Sequence, residues 1–228
     1  SYTTAMSACE KARRWETSLS LLQEMMHRDL EPNIISYSSA ISACAKAGQW
    51  ERALGLLKDM EDTGIQPDLI SYSVAISACE KGREWERALD LFQEMKGRGI
   101  RPDVMCYNAV LSACEKGRQW EIALDLFQEM KDKGIRPNVV TYSASISACE
   151  KGRQWKRTLE LLREMKKYGI EPNTFSYNGA IAACERFGKW ENALQLFYEM
   201  KDCGIEPNNV SYSTTVSACY NMGQYREA

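Results

Sequence analysis

Nine cysteines and a single histidine are the side chains with which this 228-residue sequence could hold a metal, close a disulfide or act as a nucleophile. Seven of the cysteines, Cys9, Cys44, Cys79, Cys114, Cys149, Cys184 and Cys219, recur at intervals of 35 residues. Equivalent thiols on neighbouring helices would sit roughly 8–10 Å apart, whereas a disulfide needs Cα atoms within about 7 Å. They are expected to be free thiols of the core, suited to a reducing compartment. Cys106 and Cys203 fall outside this series and have no paired spacing. There is no C-x-x-C, so no zinc ribbon or redox pair is indicated. His27 lacks a ligand or catalytic partner at a meaningful spacing, and no phosphate-cradling glycine motif occurs. Asn209-Val210-Ser211 matches a glycosylation sequon, which the free thiols argue against. The sequence therefore indicates no catalytic constellation, metal, cofactor or small-molecule substrate, and an enzyme is not expected.

The remaining chemistry is hydrogen bonding and charge. One variable position holds Thr3, Ser38, Ser73, Asn108, Ser143, Asn178 and Ser213; another holds Asn33, Asp68, Asp103, Asn138, Asn173 and Asn208. Both vary only among small hydrogen-bonding residues, as a modular reader would. N-cap and turn chemistry accounts for the same residue types equally well. A column of cations, Lys11, Lys46, Lys81, Lys116, Lys151 and Arg186, is spaced to track phosphates one repeat at a time; Asn221 takes its seventh place. Glu10, Glu80, Glu115, Glu150 and Glu185 precede most of these cations. Whether the carboxylates face the same groove decides the local potential.

These positions are regular because the whole chain is. Tyrosine recurs at Tyr2, Tyr37, Tyr72, Tyr107, Tyr142, Tyr177 and Tyr212. Tryptophan recurs at Trp15, Trp50, Trp85, Trp120, Trp155 and Trp190, with Tyr225 in the seventh place, and all six prolines keep the same 35-residue register. The units are 1–33, 34–68, 69–103, 104–138, 139–173, 174–208 and a partial 209–228. In the second unit Ser36 is a candidate N-cap, and Tyr37, Ala40, Ile41 and Cys44 form one apolar helical stripe. Ser38, Ser42 and Ala45 are expected to face away from it. Gly48 breaks that helix. Trp50, Ala53, Leu54, Leu57 and Met60 form a second stripe, ended by Gly64 and Pro67. In the first unit Asp29 replaces the capping glycine, and a looser turn is expected. The recurring acidic-Met pairs, such as Glu94-Met95, read as helix surface beside core. Each unit is thus an antiparallel helix pair that must stack to bury its stripes, giving an all-α solenoid.

Bulk properties agree with a folded array: 44% hydrophobic and 26% charged residues, net charge −2, and a pI near 5.7. The acidic balance counts against a nucleic acid partner unless positive charge is sorted onto one face. No apolar run approaches the ~18 residues of a membrane span. The sequence opens and stops inside repeats and is expected to be part of a longer protein.

The unit that opens Val139-Val140-Thr141-Tyr142-Ser143 continues with Ala148-Cys149, Lys151-Gly152, Leu161, Glu164-Met165, Gly169-Ile170 and Pro172-Asn173. It resembles the pentatricopeptide repeat, and the resemblance covers the whole chain. The tryptophan that opens the second helix and the glutamate before the lysine depart from the usual pattern. The resemblance implies a right-handed superhelix holding single-stranded RNA at one base per unit, and chloroplast or mitochondrion as compartment. It implies that the residues after the tyrosine and after the proline read the base. Ile35, Ile70, Met105, Val140, Phe175 and Val210 would sandwich bases, and the first-helix cations would approach phosphates. An Asp after the proline only accepts hydrogen bonds, which suits guanine or uracil; an Asn also donates, which suits adenine or cytosine. A small hydroxyl leaves room for a purine, and the Asn amide favours a pyrimidine. Thr3/Asn33 then reads A, Ser38/Asp68 and Ser73/Asp103 read G, Asn108/Asn138 reads C or U, Ser143/Asn173 reads A, and Asn178/Asn208 reads C or U. The expected target is 5′-AGG(C/U)A(C/U)-3′, with Ser213 reading a seventh purine. The alternative is a helical-repeat scaffold for protein partners, which the acidic pI suits.

Overall fold

The computed structural model describes residues 2–221. Among them are thirteen helices and no strand. They fall into two compact bodies, Ser1–Gly117 and Arg118–Ala228. The first holds α1 (Tyr2–Lys11), α2 (Trp15–His27), α3 (Ile34–Lys46), α4 (Trp50–Asp62), α5 (Leu69–Gly82), α6 (Trp85–Gly97) and α7 (Val104–Lys116). The second holds α8 (Trp120–Asp132), α9 (Val139–Lys151), α10 (Trp155–Lys167), α11 (Thr174–Arg186), α12 (Trp190–Asp202) and α13 (Asn209–Asn221). Tyr225 lies outside the described residues.

Within each body the first helices of successive repeats pack in file, α1 on α3 on α5 on α7, and α9 on α11 on α13. Within a body a first helix also packs on its own second helix and on that of the preceding repeat, as α3 does on α4 and α2 and α11 on α12 and α10. The first stripe is core throughout: Tyr37, Ala40, Ile41 and Cys44 are fully buried. Of the second, Ala53, Leu57 and Met60 are buried, while Trp50 and Leu54 are only half-buried and Leu56, outside the stripe, is buried. Ala45 is buried too, because the neighbouring first helix covers it; the solvent face of α3 runs instead through Ile35, Ser38, Ser42 and Lys46.

In several repeats the acidic residue of the acidic-Met pair does more than face solvent. Glu94 Oε1 accepts a 2.8 Å hydrogen bond from the buried hydroxyl of Tyr72. Glu164 and Glu199 do the same for Tyr142 and Tyr177, at 3.0 and 2.8 Å. In the repeat that carries Asp59, one methylene shorter, Tyr37 is instead the acceptor: the Thr63 hydroxyl donates to its hydroxyl oxygen at 3.5 Å. Burial, reinforced at Tyr72 and Tyr142 by the adjacent carboxylate, raises the phenol pKa of Tyr72, Tyr142 and Tyr177.

The helix starts correct one expectation. Asn33, not Ser36, is the N-cap of α3: its side chain accepts from the Ser36 N–H, and the Ser36 hydroxyl oxygen accepts in turn from the Asn33 N–H. The residue after the proline is the cap because proline fixes an extended approach just outside the helix. Asp29 also departs from expectation. It takes a left-handed φ of 53°, and Leu30 N–H still reaches Met25 O at 3.0 Å, so the turn closes as it does around Gly64. The conformation costs an Asp what it does not cost a glycine. Asp29→Gly is therefore expected to stabilise by about 0.5–1 kcal/mol, read as a higher urea midpoint.

The first-helix ends show a division of labour. Gly48 takes the left-handed turn in its repeat (φ 75°). In the repeats with Lys-Gly-Arg the arginine does so: φ is 65° at Arg83 and 58° at Arg153. The glycine is needed there for space. A Cβ on Gly82 would lie 2.4 Å from Cδ1 of Trp50, and one on Gly152 would lie 2.3 Å from Cδ1 of Trp120.

Candidate nucleic-acid interface

A residue two before the buried tyrosine lies about 200° round the helix from it. Burying the tyrosine therefore turns that residue outward whatever its polarity. Ile35, Ile70, Met105, Val140, Phe175 and Val210 occupy this place, and all are 51–65% exposed. Within each body these side chains form an exposed apolar row in one register, the kind of patch that marks a binding face.

The residue after the tyrosine falls on the same face, three positions on. The structure brings it to the cap of the next repeat. Asn178 Nδ2 donates to Asn208 Oδ1 at 3.1 Å, across 30 residues of sequence. Ser143 Oγ lies 3.5 Å from Asn173 Oδ1. The caps hold their first-helix N–H groups throughout: Asp68 to Ser71 and Asp103 to Cys106, each at 2.9 Å, Asn138 to Thr141 at 3.1 Å, Asn173 to Ser176 at 2.9 Å and Asn208 to Ser211 at 3.1 Å. Cap chemistry thus accounts for one oxygen of each side chain. Chemically, an Asp has a second oxygen that can accept, and an Asn has an amide that can donate.

A third residue, in the place of Ser36, which the sequence suggested only as a cap, links the pairs. Ser71 Oγ lies 3.0 Å from Ser38 Oγ and donates to Asp68 Oδ1 at 2.9 Å. Ser176 bridges Ser143 and Asn173 in the same way, and Ser211 bridges Asn178 and Asn208. The signal was available as the three-residue spacing between a capping Asn or Asp and a hydroxyl. For the pair Ser73 and Asp103 the bridging place is taken by Cys106 of the next repeat, whose thiol burial pushes up to about 11. Of the other expected readers, Thr3 is half-buried at the head of the chain, Asn108 is buried, and Ser213 is exposed with its hydroxyl on Val210 O.

Clefts open between successive apolar residues. One, about 260 Å³, lies between Ile35 and Ile70 and is lined by Ser38, Asp68, Ser42 and Glu10. Another, about 430 Å³, lies between Phe175 and Val210 and is lined by Asn178, Asn208, Ser147 and Glu150. Each is a slot with two apolar walls and a polar pair at one end.

The acidic column closes the other end. Glu10 Oε1 accepts from Lys46 Nζ at 2.7 Å and from Ser42 Oγ at 2.8 Å. Glu80 pairs with Lys116 and accepts from Ser112 Oγ at 2.9 Å; Glu150 meets Arg186 at 2.9 Å. Partial burial pushes the Glu10 carboxyl up, but the bonds from Lys46 and Ser42 outweigh it and leave its pKa lowered. So the carboxylates do face the first-helix groove, and they engage the cations expected to meet phosphates. Lys151 is engaged as well; Lys81 and Lys11 are exposed. The side chain of Asn221 is outside the described residues.

The core thiols are inert: burial pushes Cys44 and Cys184 up to about 11, and Cys79, Cys114 and Cys149 up to about 12. Among the described residues no three His, Cys, Asp or Glu side chains cluster to hold a metal, and no helix is long and apolar enough to cross a membrane.

The pentatricopeptide repeat domain model matches residues 20–81, 90–152 and 159–222, and the single-repeat model matches residues 1–30, 70–100 and 140–170. The chain belongs to the pentatricopeptide repeat family. No curated protein matches it significantly. Among solved structures, the maize pentatricopeptide repeat protein PPR10 is similar over 99% of this chain and 37% of its own, at 22% identity and a TM-score of 0.68. The same protein in complex with an 18-nt psaJ RNA element is similar over 100% of this chain and 38% of its own, at 23% identity and a TM-score of 0.62. The pentatricopeptide repeat domain of Arabidopsis thaliana protein-only RNase P 1, in complex with tRNA, is similar over 82% of this chain and 95% of its own, at 15% identity and a TM-score of 0.68. At these identities the likeness establishes the fold. The chain spans little more than a third of the maize protein.

Proposed function

We propose that this array binds single-stranded RNA, one base to a repeat, with the order 5′-AGG(C/U)A(C/U)-3′, and that the RNA so bound is processed or stabilised in an organelle. The observation that carries the reading is the repeated slot. Two exposed apolar side chains one repeat apart face each other across a cleft, and the variable polar pair stands at its end. A nucleobase has the matching shape: two apolar faces and one edge of donors and acceptors. RNA as the ligand class is supported by the maize and Arabidopsis relatives, whose structures hold RNA. The array serves as the binding part and carries no catalytic step.

The polar pair supports the order. In the last complete slot Asn208 Oδ1 already accepts from Ser211 N–H and Asn178 Nδ2, which leaves its amide to donate to the ring nitrogen of a cytosine. Asp68 commits one oxygen to the cap and has a second to accept from guanine.

The test is a titration of fluorescent 5′-AGGCAC-3′ in an unstructured flank against its complement 5′-GUGCCU-3′, at two salt concentrations. Asn178→Ser is expected to turn the preference at the sixth base from pyrimidine to A by about tenfold, about 1.4 kcal/mol, with the other positions unchanged. An equal loss at every base would assign Asn178 a structural part. Equal or absent binding of both RNAs would favour a protein-binding scaffold, which the neutralised cation column suits.

A further inference from the structure

The cation column is interrupted electrically at one place, and the cause is one residue. The acidic column runs Glu10, Ala45, Glu80, Glu115, Glu150, Glu185. Wherever a glutamate fills this place within the first body, the cation of the next repeat is tied to it: Lys46 to Glu10 at 2.7 Å, and Lys116 to Glu80. The place before Lys81 holds Ala45, which is buried and has no charge to offer. Lys81 Nζ reaches only the backbone carbonyl of Ala45, at 3.3 Å, and its side chain is exposed. It stands on the same face of α5 as Ile70 and Val74, which wall the first slot, two turns further along the helix. Lys11 is exposed as well.

An ammonium already paired with a carboxylate releases little when a phosphate arrives, since the new contact must replace the old one. An ammonium held only by a neutral carbonyl brings its full charge. We propose that Lys81 is the principal phosphate anchor of the array, and that the glutamate column silences the cations on either side of it. This rests on the RNA-binding reading above. It gives the bound strand a fixed electrostatic point at the third repeat, while the other slots select by stacking and base edges. Affinity should then depend on salt far less than six cations in file would suggest.

The experiment is the salt dependence of binding for 5′-AGGCAC-3′ RNA by the complete chain, with each variant's helicity checked by circular dichroism. Each phosphate neutralised on a single strand contributes roughly 0.7 to the slope of log K against log salt. The wild type is expected to show a slope of roughly 1–2, the share of Lys81 and Lys11. Lys81→Ala should weaken binding at low salt by about three- to tenfold and lower the slope by about 0.7, with Lys81→Arg restoring both. Glu80→Gln, which frees Lys116, should raise affinity and add about 0.7 to the slope. A folded Lys81→Ala chain with an unchanged slope would overturn the anchor. An unchanged slope for Glu80→Gln would overturn the silencing. RNA binding by neither wild type nor variants at any salt would remove the RNA reading itself, and the anchor with it.

Discussion

Gly82→Val is expected to lower stability by about 3 kcal/mol, the upper end of what overpacking costs. Gly82 ends α5 with a right-handed backbone, so the penalty does not come from strain in φ. It comes from Trp50 of the preceding repeat, whose Cδ1 and Cγ would lie 2.4 and 2.7 Å from a new Cβ. The indole is attached close to its own backbone at the first residue of α4, so it has little room to withdraw. Trp50→Ala removes the obstacle and should cancel most of the added cost, even though it loses packing of its own. Urea unfolding of the wild type, the two single variants and the double variant gives the coupling directly. Additive effects would show that Gly82 is not kept for the indole. The same contact recurs at Gly117 with Trp85 and at Gly152 with Trp120.

Phe175→Asp is expected to weaken RNA binding by about 30- to 100-fold, or about 2–3 kcal/mol, with little change in stability. Phe175 is 55% exposed, so the fold gains little from it. It walls the slot beside Asn178 and Asn208, and losing an aromatic stacking partner alone costs about 1–3 kcal/mol. A carboxylate adds repulsion toward the strand and joins Glu150 in the same cleft. Comparing Kd at two salt concentrations separates the parts: the stacking loss persists at high salt, and the repulsion fades. An unchanged Kd in a folded variant would place the bound strand elsewhere on the array.

Much of the scaffold was legible because every repeat solves the same local problem. The 35-residue register of tyrosine, tryptophan and proline defined the helix pairs, and the stripe through Tyr37, Ala40, Ile41 and Cys44 is buried in full. The exposed row from Ile35 to Val210 also follows from sequence once the tyrosine is placed, because helical periodicity turns the residue two before it outward. Helix ends were harder to read. Ser36 and Asn33 can each cap, and only their reciprocal bonds show that Asn33 does. Asp29 was expected to loosen a turn that the backbone bonds around it close regardless.

What the sequence by itself determined is the repeat, its two helices, the core stripes and the set of polar positions free to vary. Tertiary structure alone decided which of those positions meet. Asn178 and Asn208 are 30 residues apart and hydrogen-bonded; Glu10 and Lys46 are 36 apart and paired. Periodicity fixes the face on which a side chain lies, because that depends only on local helix geometry. The distance between side chains on successive helices depends on how those helices pack, and one repeat carries no information about that until the next is laid against it.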